Sequence, residues 1–346
     1  MNLKLVAKRT LVQAVTTVAV VLLTWLIIEN SKIFLVAFGG ILIAIMFSGS
    51  ARWLAKKTNI TAKVWLPISM LTPVLLLGLL MAYAAPKIST QANELVDRMP
   101  EALEYVRGQF TEFSSIGKLD DNLDKITNYD PKMSTVMNAV SSLLSSTING
   151  LGNFIFAIIL AIFLSINPKW YVDGGLTLVP PPHKSKARDL LKNCETALAG
   201  WLLAKLASMV MVGIFTTVGL WALGIDLALI LGIIAALLSF IPNLGPLLAF
   251  IPAGLVSILT GVDTLLYVSI LYIGIQTVES YILTPILQAE IASLPPALVL
   301  LVQVLLASMV GMAGVLLAAP LTVLLIVITN QLYVKRLHNN QDHGNS

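Results

Sequence analysis

Only five charged residues, Lys205, Asp226, Asp263, Glu279 and Glu290, interrupt the stretch from Thr196 to Val334. A soluble domain covers its core with wettable surface, and a segment this long with so few charges has none to offer. Its apolar residues fall in long runs rather than at a period of 2 or 3.6, so they face lipid. The whole chain agrees. It has 346 residues, 57% hydrophobic and 12% charged, with a mean hydropathy of +0.87. That charged fraction is about half of what soluble proteins carry. The expected fold is an all-α polytopic membrane protein.

Spanning helices need about 20 apolar residues. Full spans are expected at 11–28, 33–47, 64–85, 148–166, 197–220 and 264–287. Lys4, Lys8 and Arg9 precede the first run as they would in a signal peptide, but the run is too long and lacks an Ala-x-Ala-like exit, so it reads as a retained span. The loop 48–63 holds Arg52, Lys56, Lys57 and Lys63 and no acid, which places it and both termini in the cytoplasm. The pI of about 9.1 then reflects basic loops on one membrane face, not a surface for nucleic acid.

Residues 86–146 differ in character, with nine acids against six bases. They follow an outward span and should be extracytoplasmic. Ile88, Ala92, Leu95, Met99, Leu103, Val106, Phe110 and Phe113 recur at spacings of three and four, marking an amphipathic helix. Its apolar face suits either its own membrane domain or a neighbouring subunit. The organisation expected is therefore spans one to three in 1–85, this helical segment in 86–146, span four and a basic loop in 147–195, a transport core in 196–334, and a cytoplasmic tail in 335–346.

Two apolar stretches in the core are too long for one span. Residues 227–260 would run to about 50 Å as one straight helix, against a hydrocarbon core of about 30 Å. Pro242, Gly245 and Pro246 break this stretch near its middle. Residues 296–331 have the same problem, with Gly311 and Gly314 at the centre and Pro320 beyond. Each stretch is either a re-entrant helical hairpin with two short arms of similar length or a tilted, broken crossing. The hairpin reading gives about eight membrane segments, six full spans plus two broken ones. Interrupted helices are tolerated in a bilayer only where protein or water surrounds the freed backbone, and in transporters they often frame the substrate site.

Three ordered motifs carry a resemblance. Phe240-Ile241-Pro242-Asn243-Leu244-Gly245-Pro246 is followed by Gln276-x-x-Glu279-x-Tyr281-x-x-x-Pro285 and then by Gly311-x-x-Gly314-x-x-x-Ala318-x-Pro320. Together with Asn167-Pro168 and Gly224-Ile225-Asp226 they resemble the autoinducer-2 exporter family of bacterial inner-membrane transporters, over nearly the whole chain. The likeness departs after Pro285, where Gln288 to Pro296 replaces the glycine and Leu-x-Pro segment frequent in members. The resemblance implies a homopentamer moving its hairpin-bearing half in an elevator-like way. It also implies export of autoinducer-2, or in some members sodium/proton exchange.

Glu279 is the leading candidate for transport chemistry, because a carboxylate deep in a span costs several kcal/mol unless paired or hydrated. It could carry a proton, hydrogen-bond a hydroxylated solute, or anchor two helices. Gln276 lies one turn earlier, and Ser280 flanks it. Asn243, between the breaking residues, could cap freed backbone or touch substrate. Lys205, one turn after Trp201, reads as snorkelling to the interface, and Asp226 and Asp263 read as interfacial caps. Pro242, Gly245, Pro246, Pro285, Gly311, Gly314 and Pro320 are the expected hinge or hairpin-tip positions, with Gly311 and Gly314 also suited to close helix packing.

No cofactor is called for. Cys194 is the single cysteine, the histidines (His183, His338, His343) lie in polar stretches, and no metal-ligand spacing, Walker motif or serine elbow occurs. An enzyme is not expected; the alternatives to a transporter are a non-transporting oligomeric scaffold and a channel, which would want a polar ring where the first two spans offer little beyond Gln13, Thr16, Thr17 and Thr24. The partners expected are the lipid bilayer, a small polar solute, and a proton or sodium ion.

Overall fold

A computed structural model of the chain describes residues 29–116, 152–288 and 294–334, together with positions 18 and 25. The rest of the first expected span, residues 117–151, Glu290 and the 335–346 tail lie outside the described residues. Among those described, the protein is all helix and no strand. It is a polytopic membrane protein. Phe154, Phe156 and Phe163 on one helix and Leu266, Ile270 and Ile273 on another are exposed, an arrangement that only lipid solvates without cost.

Helix α1 (Ser31–Thr58) outruns the expected second span and continues through the basic stretch. It stops at Asn59, whose left-handed backbone (φ 57°) ends the helix just after Lys56 and Lys57 meet its negative terminus. The third expected span and the first part of the acidic segment prove to be one helix, α2 (Ala62–Ile116), with Pro67, Pro73, Pro86 and Pro100 inside it. Its 55 residues amount to about 80 Å, so much of it must leave the membrane.

The C-terminal half of α2 is tied down by its own chain. Leu95 packs into a cluster with Leu220, Ile225, Leu227 and Leu231. Buried Gln91 donates its amide to the Asp226 carbonyl at 2.5 Å and accepts the Ile230 N–H at 3.0 Å. A helix start inside a membrane protein leaves N–H groups that need partners. Gln91 supplies one to α6 from outside, where Asp226 had been expected to cap; Asp226 is exposed and makes no side-chain cap.

α3 (Gly152–Ile166) bends by 87° at Asn167-Pro168 into α4 (Pro168–Thr177). The proline run 180–182 breaks the chain before α5 (Lys184–Ala222), which begins well inside the basic loop. Arg188 pairs with Asp173 at 2.7 Å, and Arg52 pairs with Glu195. Both pairs are exposed and contribute little.

Both oversized stretches double back. α6 (Ala228–Leu238) and α7 (Leu244–Thr260) pack against each other across the tip 239–243. After α8 (Val262–Val278, continued by a wide turn Glu279–Leu283 and Thr284–Gln288), α9 (Pro296–Val310) and α10 (Met312–Thr329) do the same about Gly311. Gly311 has φ 74° and ψ −146°, a region that side chains with a Cβ avoid. Close approach rests on one glycine per hairpin. A Cβ on Gly245 would collide with the Leu238 carbonyl seven residues back, and one on Gly314 would collide with the Leu306 carbonyl eight residues back. In a straight helix such pairs stand about 10 to 12 Å apart along the axis.

Two expectations are corrected here. The arms of both hairpins are unequal: α6 has 11 residues against 17 in α7, and 312–333 is a 22-residue apolar helix long enough to cross a bilayer while α9 has 15 residues. Pro320 is not at a tip. It is buried inside α10, where neighbouring helices enclose the backbone it leaves unpaired.

Gly245→Ala and Gly314→Ala should each destabilise the protein by about 1–3 kcal/mol through overpacking. The measurement is the unfolding temperature in detergent. Gly274→Ala, with nothing within 4 Å of the added carbon, should leave it unchanged or raised.

Candidate functional site

The site begins with a proline. Pro285 has no N–H, and its ring crowds the carbonyl four residues before it, so the helix cannot close normally there. The turn widens instead. The Thr284 N–H reaches five residues back to the Glu279 carbonyl, and the Thr284 hydroxyl donates to the same oxygen at 2.8 Å. Such single wide turns occur often at functional positions. Within this one, Glu279 is the buried residue while Ser280 and Tyr281 face outward.

The facing helix supplies the partners. Trp201, Lys205 and Ser208 fall on one face of α5, at spacings of four and three, and all three are buried. The Lys205 ammonium lies 3.1 Å from Glu279 Oε1, and the Ser208 hydroxyl donates to that same oxygen. Lys205 and Glu279 are 8% and 7% exposed. Burying either charge alone costs several kcal/mol, which the other offsets at contact distance. The expectation that Lys205 snorkels to the interface is therefore wrong. An acceptor inside the bundle is closer than the interface, and burying both ions together costs less than stranding the carboxylate.

Trp201 connects this pair to the first hairpin. Its ring meets Phe240, at the start of the tip, edge-on at 5.8 Å. The tip itself is tight. The Leu244 N–H bonds back two residues to the Pro242 carbonyl at 2.8 Å, which forces Asn243 to φ 65° and ψ −47°. Three-residue turns of this hand are rare and strained. The Asn243 side chain is exposed and caps nothing. Pro246 lies in the first turn of α7. From the second hairpin, Gln303 donates its amide to the Pro242 carbonyl at 3.3 Å.

The structure thus joins Glu279 to two α5 residues and brings α9 onto the tip holding Pro242 and Asn243. Gln276 and Ser280 go elsewhere. They bond to each other at 3.0 Å on the helix surface rather than joining Glu279. Sequence reasoning missed Ser208 and Gln303 and misassigned Lys205. One signal was there: Lys205 is the lone base of the core and Glu279 the acid deepest in a span, so charge balance alone suggests the pair.

Residues 15–334 match the profile of the family described as AI-2E family transporter. The chain belongs to that family. It is accordingly a membrane transporter of the AI-2E type. YueF of Bacillus subtilis (strain 168), a candidate transport protein, is 24% identical over 330 residues, covering 88% of this chain and 85% of YueF. The AI-2 transport protein TqsA of Escherichia coli (strain K12) is 24% identical over 276 residues, 77% of each chain. YrrI of Bacillus subtilis (strain 168), also a candidate transport protein, is 26% identical over 159 residues, 46% of this chain and 43% of YrrI. For an AI-2E transporter, the Lys205–Glu279 pair is a polar feature inside an apolar core that packing alone does not require.

Removing one partner strands the other charge, so Glu279→Leu and Lys205→Met should each destabilise the protein by about 3–5 kcal/mol. The double variant should recover most of that loss. A double-mutant cycle on unfolding in detergent measures it, and additive losses would show that the two side chains do not interact.

Proposed function

We propose that this protein is a secondary transporter that exports a small polar solute of the autoinducer-2 type across the bacterial inner membrane. In this reading Glu279 and Lys205 link solute movement to an ion gradient. The observation that carries it is the buried Lys205–Glu279–Ser208 cluster on a wide helical turn. Through Trp201, the same face of α5 leads to the tip of the first hairpin. Charged groups inside a membrane domain are rare, and they mark solute and ion pathways.

The two helical hairpins are re-entrant in this reading, with both termini cytoplasmic. Both hairpins pack on α5 and the first also packs on α8, while α1 lies against α5 and α10 and α2 against α7; an elevator-like movement of the hairpin-bearing half would slide along those α1 and α2 contacts. The homopentameric state follows from the family resemblance. Exchange of sodium for protons is a second reading, and the ion pair favours it. The carboxylate already has an internal counter-charge, so an incoming cation competes with the Lys205 ammonium for it.

Reconstituted vesicles distinguish these readings. Autoinducer-2 flux under proton and sodium gradients should fall roughly tenfold or more in Glu279→Gln if the carboxylate couples transport. Cation exchange without solute flux would favour the exchanger. Unchanged flux under every gradient removes Glu279 from the mechanism.

A further inference from the structure

Gln303 has no role in the Glu279 cluster, yet its environment is unusual. It sits on the first arm of the second hairpin and is 0% exposed. A side-chain amide has an acceptor oxygen and two N–H donors. Here the nitrogen makes one bond, the 3.3 Å contact to the Pro242 carbonyl, and Oε1 has no partner. Buried amides are rarely left half-used.

The partner it does have is shared. The Pro242 carbonyl also takes the Leu244 N–H of the strained turn, at 2.8 Å. One long hydrogen bond therefore joins the Gln303 amide to a tip whose backbone is already held away from its relaxed conformation at Asn243. Displacing that tip breaks the one hydrogen bond Gln303 makes and leaves both ends of the amide free. Asn243, exposed and without a hydrogen-bond partner, lies on the same turn. An amide offering an acceptor beside a donor matches a hydroxyl, which both donates and accepts, and neighbouring hydroxyls match it at both ends.

We propose that Gln303 reads the hydroxyls of the transported solute, at a site that opens between the tip of the first hairpin and the first arm of the second. The ligand class is a small polyhydroxylated molecule. The inference rests on the reading of the chain as a transporter of a polar solute.

The test uses the full-length protein in vesicles with autoinducer-2 as the probe, comparing wild type with Gln303→Leu and Gln303→Met. Both variants keep the volume and remove the amide. The expected result is an unfolding temperature equal to or above wild type, because a half-used polar group has left the core. Half-saturation for autoinducer-2 should rise on the order of tenfold or more, since the site would no longer hydrogen-bond its ligand. Wild-type flux with unaltered half-saturation in both variants overturns this site alone. Loss of the folded state in both variants assigns Gln303 to packing and also overturns it. Wild-type vesicles without autoinducer-2 flux overturn the solute-export reading, and this site with it.

Discussion

A carboxylate in hydrocarbon has no water to share its charge, and the position of Glu279 sets terms that several other parts of the fold meet. The facing helix must bring a cation to its level, and Lys205 does so at 3.1 Å. The helix that carries Glu279 must also turn it inward, against a surface otherwise presented to lipid. The wide turn at Glu279–Leu283 accompanies that inward placement, and Pro285 is its local cause. A proline that would weaken an ordinary span here helps fix the orientation of the one acid that most needs a partner.

The same scarcity of outside partners governs the hairpins. Apolar side chains gain little by leaving lipid for one another, so helices in a membrane associate through close packing and internal hydrogen bonds. Both hairpins use one device: a turn residue at positive φ (Asn243 or Gly311), then a glycine two or three residues later lying against the opposite arm. The backbones approach where a Cβ would forbid it. Hydrogen bonds then connect pieces far apart in sequence, Gln91 to the start of α6 and Gln303 to the first tip.

Much of this was legible in the residues. Hydropathy and length located the helices that carry the expected spans 33–47, 148–166, 197–220 and 264–287, and an apolar stretch too long to cross once had to bend or turn back at Pro242–Pro246 and near Gly311. The continuity of α2 was not legible, because Pro86 looks like a boundary and only the tertiary grip on Gln91 and Leu95 shows what its C-terminal half packs on. Nor was the wide turn, since Pro285 announces a disturbance without its form. Lys205 was misread because snorkelling is a property of depth, and depth depends on which residue stands across the bundle. Gln303 gives no signal in its sequence context at all; its meaning lies in a partner 61 residues away.

The face of α5 that carries Trp201, Lys205 and Ser208 ties these parts together. A straight helix cannot move one of those residues without the others. If Lys205 and Ser208 shift when Glu279 loses or gains a competing cation, Trp201 shifts with them, and its edge contact with Phe240 carries the displacement to the tip. The tip is where a small displacement has most effect, because Asn243 holds strain there and Gln303 restrains it with one long bond. Occupancy at the ion pair and opening between the hairpins would then be linked in both directions, as any coupling free energy requires. The physical carrier of such a link would be a rigid helix face rather than a chain of remote correlations.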